Sequence, residues 1–229
     1  MEVALVTVGD ELLSGDTLNS NAAWLGRRLH ERGVTVERST TVPDRVADIA
    51  RVVNEYRAEY DAVLVTGGLG PTHDDLTMEA VAAALGRPVE ESAEALAWLE
   101  EHGGYASDDL AKGTADLPAG ARVLHNTVGV APGCVVDDVY VFPGVPDEMK
   151  AMFEGVAEEF SGEIQHVSVV PAAEPESALL DRIETLRESF DVKVGSYPGE
   201  FVRVRLEGEE DEVERAAAWL RDRVEAPEE

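Results

Sequence analysis

Three glycines and two aspartates crowd the stretch 63–79, VLVTGGLGPTHDDLTME. Gly67, Gly68 and Gly70 have no Cβ, so they can take positive φ and let a ligand lie close against the main chain. Asp74 and Asp75 come just before a helical pattern of Met78, Val81, Ala82 and Leu85 that Gly86 ends. A glycine loop at a helix N-terminus offers unpaired N–H groups and the positive end of a dipole, which suits phosphate. Two carboxylates beside it can hold Mg²⁺ against phosphate oxygens. The same residues also read as a tight strand-to-helix turn with Asp75 or Thr77 as N-cap. A second acidic pair, Asp10 and Glu11, follows the apolar run 3–8 and Gly9. The turn Pro143-Gly144-Val145-Pro146 is another candidate anion site at the start of a helix.

The elements that must carry these residues follow from periodicity. Residues 3–8 and 62–66 are short continuous apolar runs, the pattern of strands buried on both faces. Residues 12–18 read as a loop, after which Asn19 or Ser20 caps a helix with Ala22, Leu25 and Leu29 on one face. Residues 34–42 read as a strand, and Asp44 as the cap of a helix bearing Val46, Ile49, Val53 and Tyr56. The order βαβαβα with short connections predicts an α/β fold, a mostly parallel sheet with helices on both faces. Ligands in such folds bind outside the carboxyl ends of the strands, where both acid-bearing loops would lie. Farther on, residues 88–103 and 105–117 read as helical and 126–133 as a loop of small residues. Residues 134–136 and 139–142 read as a hairpin, and a helix follows with Met149, Met152 and Phe153 on one face. A boundary is expected at Ser161-Gly162, giving domains 1–162 and 163–229, the second a small ferredoxin-like α+β unit.

With 47 acidic against 19 basic residues the chain carries −28. That field repels nucleic acid and anionic membranes, so neither is an expected partner. The acids are spread over the whole chain, which suits a cytoplasm of very high salt, where the screening length shrinks to about 3 Å. A halophilic habit, a cytoplasmic location and a homo-oligomer are expected. The lone Cys134 permits no internal disulfide, and residues 1–11 resemble a first strand, not a signal peptide.

Four stretches in order, GDELLSGDTLNSNAAWL (9–25), TGGLGPTHDDLT (66–77), NTVGVAPG (126–133) and FPGVPDEM (142–149), resemble the N-terminal domain of CinA, the competence/damage-inducible protein. The resemblance covers residues 1 to about 160, and more weakly the tail. It implies the three-layer α/β/α molybdopterin-binding fold shared with MogA, MoaB, MoeA and gephyrin. It also implies that Gly67, Gly68, Leu69 and Gly70 form the phosphate-cradling loop, with Asp75 acting near the ligand and Asn21 and Gly144 beside it. Leu69 stands where the molybdopterin-handling members have Thr, and PGVP stands for their PGNP. Full-length CinA proteins continue into a nicotinamide-nucleotide deamidase domain, so no deamidase activity is expected of this chain.

Two functions fit these residues. In the first, the chain is a metal-dependent pyrophosphatase on ADP-ribose-type substrates. Asp10, Glu11, Asp74 and Asp75 bind Mg²⁺ or another divalent ion, and an acid among them, Asp10 or Asp75, serves the attacking water. In the second, the same loops hold molybdopterin without hydrolysis. Either way the expected partner is a phosphate-containing small molecule, and an interaction-only role is a third reading.

Overall fold

A computed structural model describes residues 1–70, 75–102 and 113–227. The chain divides into two compact units, Met1–Glu163 and Ile164–Glu229.

The first unit opens with β1 (Glu2–Val8), α1 (Asp10–Ser14), α2 (Ser20–His30), β2 (Thr35–Val42), α3 (Val46–Tyr56), β3 (Ala62–Thr66) and α4 (Thr77–Leu85). It continues with β4 (Val89–Glu91), α5 (Ala93–His102), β5 (Asp116–Pro118), β6 (Arg122–Leu124), β7 (Gly133–Val136), β8 (Val139–Phe142) and α6 (Pro146–Glu154). Six strands form one sheet in the order β2-β1-β3-β8-β7-β6. β2, β1, β3 and β8 run parallel, while β7 and β6 are added antiparallel.

Alternation along the strands builds the layers. Ala4, Val6, Val63 and Val65 face one way, into a core with Ile49 and Val53 of α3 and Val81 of α4. Val3, Leu5 and Leu64 face the other way and pack with Leu25 and Leu29 of α2 and Phe153 of α6. Both faces of β1 and β3 are therefore buried, which explains their unbroken apolar runs. The result is the expected three-layer α/β/α fold.

The sheet order has a direct consequence for the site. From β1 the chain moves to β2 on one side, then returns to β3 on the other side. The crossovers leave β1 and β3 in opposite directions, so a crevice opens between their carboxyl ends.

Several local expectations are corrected. Residues 88–103 are not one helix. Val89–Glu91 pairs antiparallel with Asp116–Pro118, and the helix begins only at Ala93. Ser92 sets that start, since its hydroxyl accepts from Ala95 N at 3.2 Å. Of the stretch read as a helix at 105–117, residues 105–112 lie outside the described residues, while Asp116 and Leu117 are strand. Residues 10–14, partly read as loop, form the short helix α1. Trp98 is packed, its ring stacked between His102 and His125 at centroid distances of 3.7 and 4.2 Å.

The second unit holds β9 (His166–Ala172), α7 (Glu176–Ser189), β10 (Val192–Tyr197), β11 (Val202–Gly208) and α8 (Glu210–Arg221). Its antiparallel sheet runs β10-β11-β9. Val170, Val204 and Leu206 of the sheet pack with Leu179 and Leu186 of α7 and Leu220 of α8.

Candidate functional site

At the switch point a cleft of about 480 Å³ is lined by residues from five loops and helix starts. Asp10 and Glu11 reach it from the end of β1, Asp44 from the end of β2, and Gly67, Gly68 and Asp75 from the loop after β3. Ser20 and Asn21 come from the start of α2, and Gly144 and Pro146 from the start of α6. Parallel pairing does this: it brings the residues after each strand to one rim, although they lie as far apart in sequence as Asp10 and Pro146. The ladder continues into the loops, with Gly9 N donating to Val42 O and Gly67 N to Phe142 O, both at 3.1 Å. The Gly67 N–H is thus committed to the sheet.

A buried polar network fixes the floor. Asn21 Nδ2 donates to Gly144 O at 2.8 Å and to Thr66 Oγ1 at 3.0 Å, and Thr66 Oγ1 donates onward to Pro143 O at 2.7 Å. This ties α2, the end of β3 and the turn before α6 together. Asn19 caps α2 by accepting from Ala22 N at 3.1 Å, and its Nδ2 donates to Thr7 Oγ1 at 2.9 Å. Thr7 in turn shares a 2.9 Å hydrogen bond with Thr41. Thr77 does not cap α4. It sits in the first turn, fully buried, and donates to Gly67 O at 2.8 Å. The N-cap position is Leu76, which gives no side-chain bond, so neither Asp75 nor Thr77 fills the capping role. Asp44 does not cap α3 either. The helix starts after Arg45, and Asp44 Oδ2 accepts from Asp10 N at 2.8 Å, which binds the β2 loop to α1.

The glycines answer to the protein. Gly67 has φ +107°, and a Cβ there would stand 2.3 Å from Val8 O. Gly68 has φ +64°, and its Cβ would meet the Thr77 hydroxyl at 2.5 Å. The space that a side chain would need is filled by neighbouring strand and helix, so internal packing alone demands glycine at both positions.

Of the residues expected at the site, Asp10, Glu11, Asn21, Gly67, Gly68, Asp75 and Gly144 line this one cleft. Leu69 and Gly70 do not. Leu69 packs against the apolar core, and both border a second hollow on the far side of the loop. Asp74 lies outside the described residues. The loop 126–133 folds around Asn126, which is buried, accepts from Val128 N and Gly129 N and donates to Ala131 O and Glu148 Oε2. Thr7, Thr66 and Asp44 were missed in the sequence. The available sign was a threonine closing or nearly closing two otherwise apolar strands.

The electrostatics are one-sided. Asp10, Glu11, Asp44 and Asp75 line the cleft, and no Lys, Arg or His does so among the described residues. Carboxylate oxygens are the donors that Mg²⁺ takes, so the lining fits such an ion in kind. Yet no three His, Cys, Asp or Glu side chains are grouped as a cage among the described residues. Mg²⁺ is commonly held by one or two carboxylates with waters and substrate phosphates, an arrangement this lining can supply. No helix among the described residues is long and apolar enough to cross a membrane.

Comparison with known proteins agrees with this architecture. Residues 4–162 match the family model described as probable molybdopterin binding domain. A protein of Archaeoglobus fulgidus is 38% identical over 214 residues, covering 93% of each chain. A CinA-like protein of Salinibacter ruber is 37% identical over 99% of this chain, which spans 58% of that protein's length. The crystal structure of CinA from Thermoplasma acidophilum superposes with TM-score 0.65 at 36% identity, covering 69% of this chain and 97% of that one. The chain belongs to the probable molybdopterin-binding domain family and is a CinA-like member of it.

Proposed function

We propose that the cleft binds a phosphate-bearing small molecule together with a divalent cation and hydrolyses the diphosphate bond of ADP-ribose-type substrates. The observation that carries this is the lining itself. Helix starts and a glycine loop favour an anion, yet among the described residues four carboxylates and no basic side chain surround it. A phosphate entering alone would meet only like charge, so its binding calls for a cation between. A bound divalent ion would polarise the phosphorus and lower the pKa of nearby water. Asp10 or Asp75 would take the proton of the attacking water as its oxygen bonds to phosphorus and the P–O–P bond breaks. The products are AMP and ribose 5-phosphate. Glu11 would share the cation, and Gly68 of the glycine loop would lie against the phosphate.

A second reading is supported by the family description: the cleft holds molybdopterin without turnover. Incubation with ADP-ribose and Mg²⁺ in molar KCl separates the two. Release of AMP that Asp75→Asn abolishes supports hydrolysis. Tight pterin binding with no AMP release supports the second reading and overturns the first.

A further inference from the structure

The second unit carries a hollow of the opposite sign to the acidic cleft. Its sheet order β10-β11-β9 leaves β10 paired on one side only. Beside that edge strand is a hollow of about 410 Å³, in the size range of a small-molecule pocket. Lys193, Gly195 and Tyr197 of β10 line it, with Arg205 and Glu207 of β11 and Arg187 from the last turn of α7. Three cations thus stand with one carboxylate, in a chain where acids outnumber bases 47 to 19. Arg205 pairs with Glu207, which leaves a surplus of two positive charges. Arg187 Nη2 donates to Val194 O at 3.2 Å, which holds the guanidinium at the strand edge without neutralising it. Of the three lysines in the chain, Lys112 lies outside the described residues and Lys150 pairs with Asp147. Lys193 has no hydrogen bond or ion pair among the described residues. We propose that this hollow binds a nucleoside monophosphate, and does so without a metal ion.

Charge selects the phosphate. A phosphate monoester carries about −1.5 to −2 near neutral pH, which matches the surplus of two, and guanidinium groups suit its oxygens. The ring is selected by Tyr197. Gly195 has no side chain, and a Cβ there would stand 3.0 Å from the Tyr197 ring. The ring therefore lies down along the strand over Gly195, which is paired with Arg205, and it is half exposed. An exposed aromatic face of this kind takes a flat base by stacking. Lys193 and Gly195 are two positions apart on one face of β10, about 7 Å, a span that one sugar bridges. A base on Tyr197 thus places its phosphate between Lys193, Arg205 and Arg187. The inference goes beyond the proposed function and does not rest on it, because the first cleft needs a cation to accept phosphate and this hollow supplies its own.

Amide shifts of the full, ¹⁵N-labelled chain test this directly. The chain is titrated with AMP in molar KCl and EDTA, which withholds the cation that the first cleft needs. The expected result is a saturable shift centred on the amides of 193–197 and Arg205. Ribose 5-phosphate, which keeps the charge and lacks the base, should move the same amides with about fivefold weaker affinity. Adenosine, which keeps the base and lacks the charge, should bind more weakly than AMP. Lys193→Gln removes a charge that holds nothing else among the described residues, so its melting should match wild type. It should weaken AMP and ribose 5-phosphate alike, by about threefold to fivefold. Tyr197→Ala should bring AMP down to the affinity of ribose 5-phosphate and leave ribose 5-phosphate unchanged. The site is overturned if AMP moves none of these amides, if it moves them only when Mg²⁺ is added, or if Lys193→Gln binds AMP as wild type does. Equal affinity of wild type for AMP and ribose 5-phosphate overturns the assignment to a nucleotide.

Discussion

Gly67 and Gly70 sit three residues apart in one loop, yet alanine should do opposite things at each. At Gly67 the backbone is at φ +107°, outside even the small left-handed region open to alanine. That conformation costs about 1–3 kcal/mol for a residue with a side chain. The new methyl would also stand 2.3 Å from Val8 O at the fully buried junction of β1 and β3. Relief requires the strand ends to part by about 1 Å, an overpacking cost of about 1–3 kcal/mol. Gly67→Ala should therefore lose about 4 kcal/mol, a large share of the roughly 5–15 kcal/mol that holds a domain. For a unit of this size that lowers Tm by about 8–16 °C.

At Gly70 φ is not positive, and among the described residues the nearest atoms to the added methyl are those of the Asp75 carboxylate, at 2.6 Å. A side-chain end can swing away, so stability should change by no more than about 1 kcal/mol. Asp75, however, would be turned from its place on the cleft, and ligand binding or turnover should fall at least as far as in Asp75→Asn. Thermal melting by circular dichroism in molar KCl, paired with the ADP-ribose assay, reads both. If Gly67→Ala melts with wild type, the packing account of the loop is wrong. If Gly70→Ala keeps full function, Asp75 has no role at the cleft.

Other outcomes follow from the same structure. Asp75→Asn and Asp10→Asn should fold normally but lose Mg²⁺-dependent binding or turnover, whereas Asp147→Asn, on a helix turn outside the cleft lining, should keep both. Glu174 is held down to about 2, first by its hydrogen bonds from Arg182 and then by the backbone N–H of Glu225. A depressed carboxylate stabilises above its unfolded pKa, and that contribution is lost as pH falls toward about 2. Glu174→Gln should thus melt lower than wild type at neutral pH, with the gap closing between pH 4.5 and about 2. Burial pushes the Cys134 thiol up to about 12, so a thiol reagent at pH 8 should label it only on unfolding. Self-repulsion at −28 should make the melting temperature rise from dilute buffer to molar KCl, and an unchanged value would refute a halophilic adaptation.

What the sequence discloses depends on the range of the interaction. β1 and β3 are legible because burial on both faces leaves an unbroken apolar run, and Asn19 is legible as a cap because its capping bond is local, accepted from Ala22 N. β4 is not legible. Three exposed residues, Val89–Glu91, become strand only because Asp116–Pro118 lies alongside, and local pattern carries no trace of that partner. The site follows the same rule. Asp10, Gly67 and Asp75 stand out as acids and glycines at strand ends, whereas Asp44 looks like a helix cap until its bond to Asp10 N is seen. The loop 126–133 shows the same limit, since its small residues read only as a loop and the bonds that fold it around buried Asn126 leave no mark on the pattern.

A chain with 47 acidic residues makes any single carboxylate weak testimony, so the case for this cleft stands better on what is buried than on what is charged. The described buried polar side chains are Thr7, Asn21, Thr66, Thr77 and Asn126. Each must be hydrogen-bonded to offset its removal from water, and nothing in a sheet core requires them. Asn126 has a local reason in its own loop. The other four converge at the carboxyl ends of β1 and β3, where Thr7, Asn21 and Thr66 border the cleft and Thr77 holds Gly67. Valine would fill the space of Thr7, Thr66 or Thr77 at no polar cost, but it could not lock α2, the glycine loop and the turn before α6 to one another. Fold stability alone gives no reason to concentrate that locking at one end of the sheet. A ligand that must be met by several loops at fixed spacing does. Among the described residues, the four acids that line the same cleft are thereby set apart from those dispersed over the surface, because they stand on a floor that holds its shape.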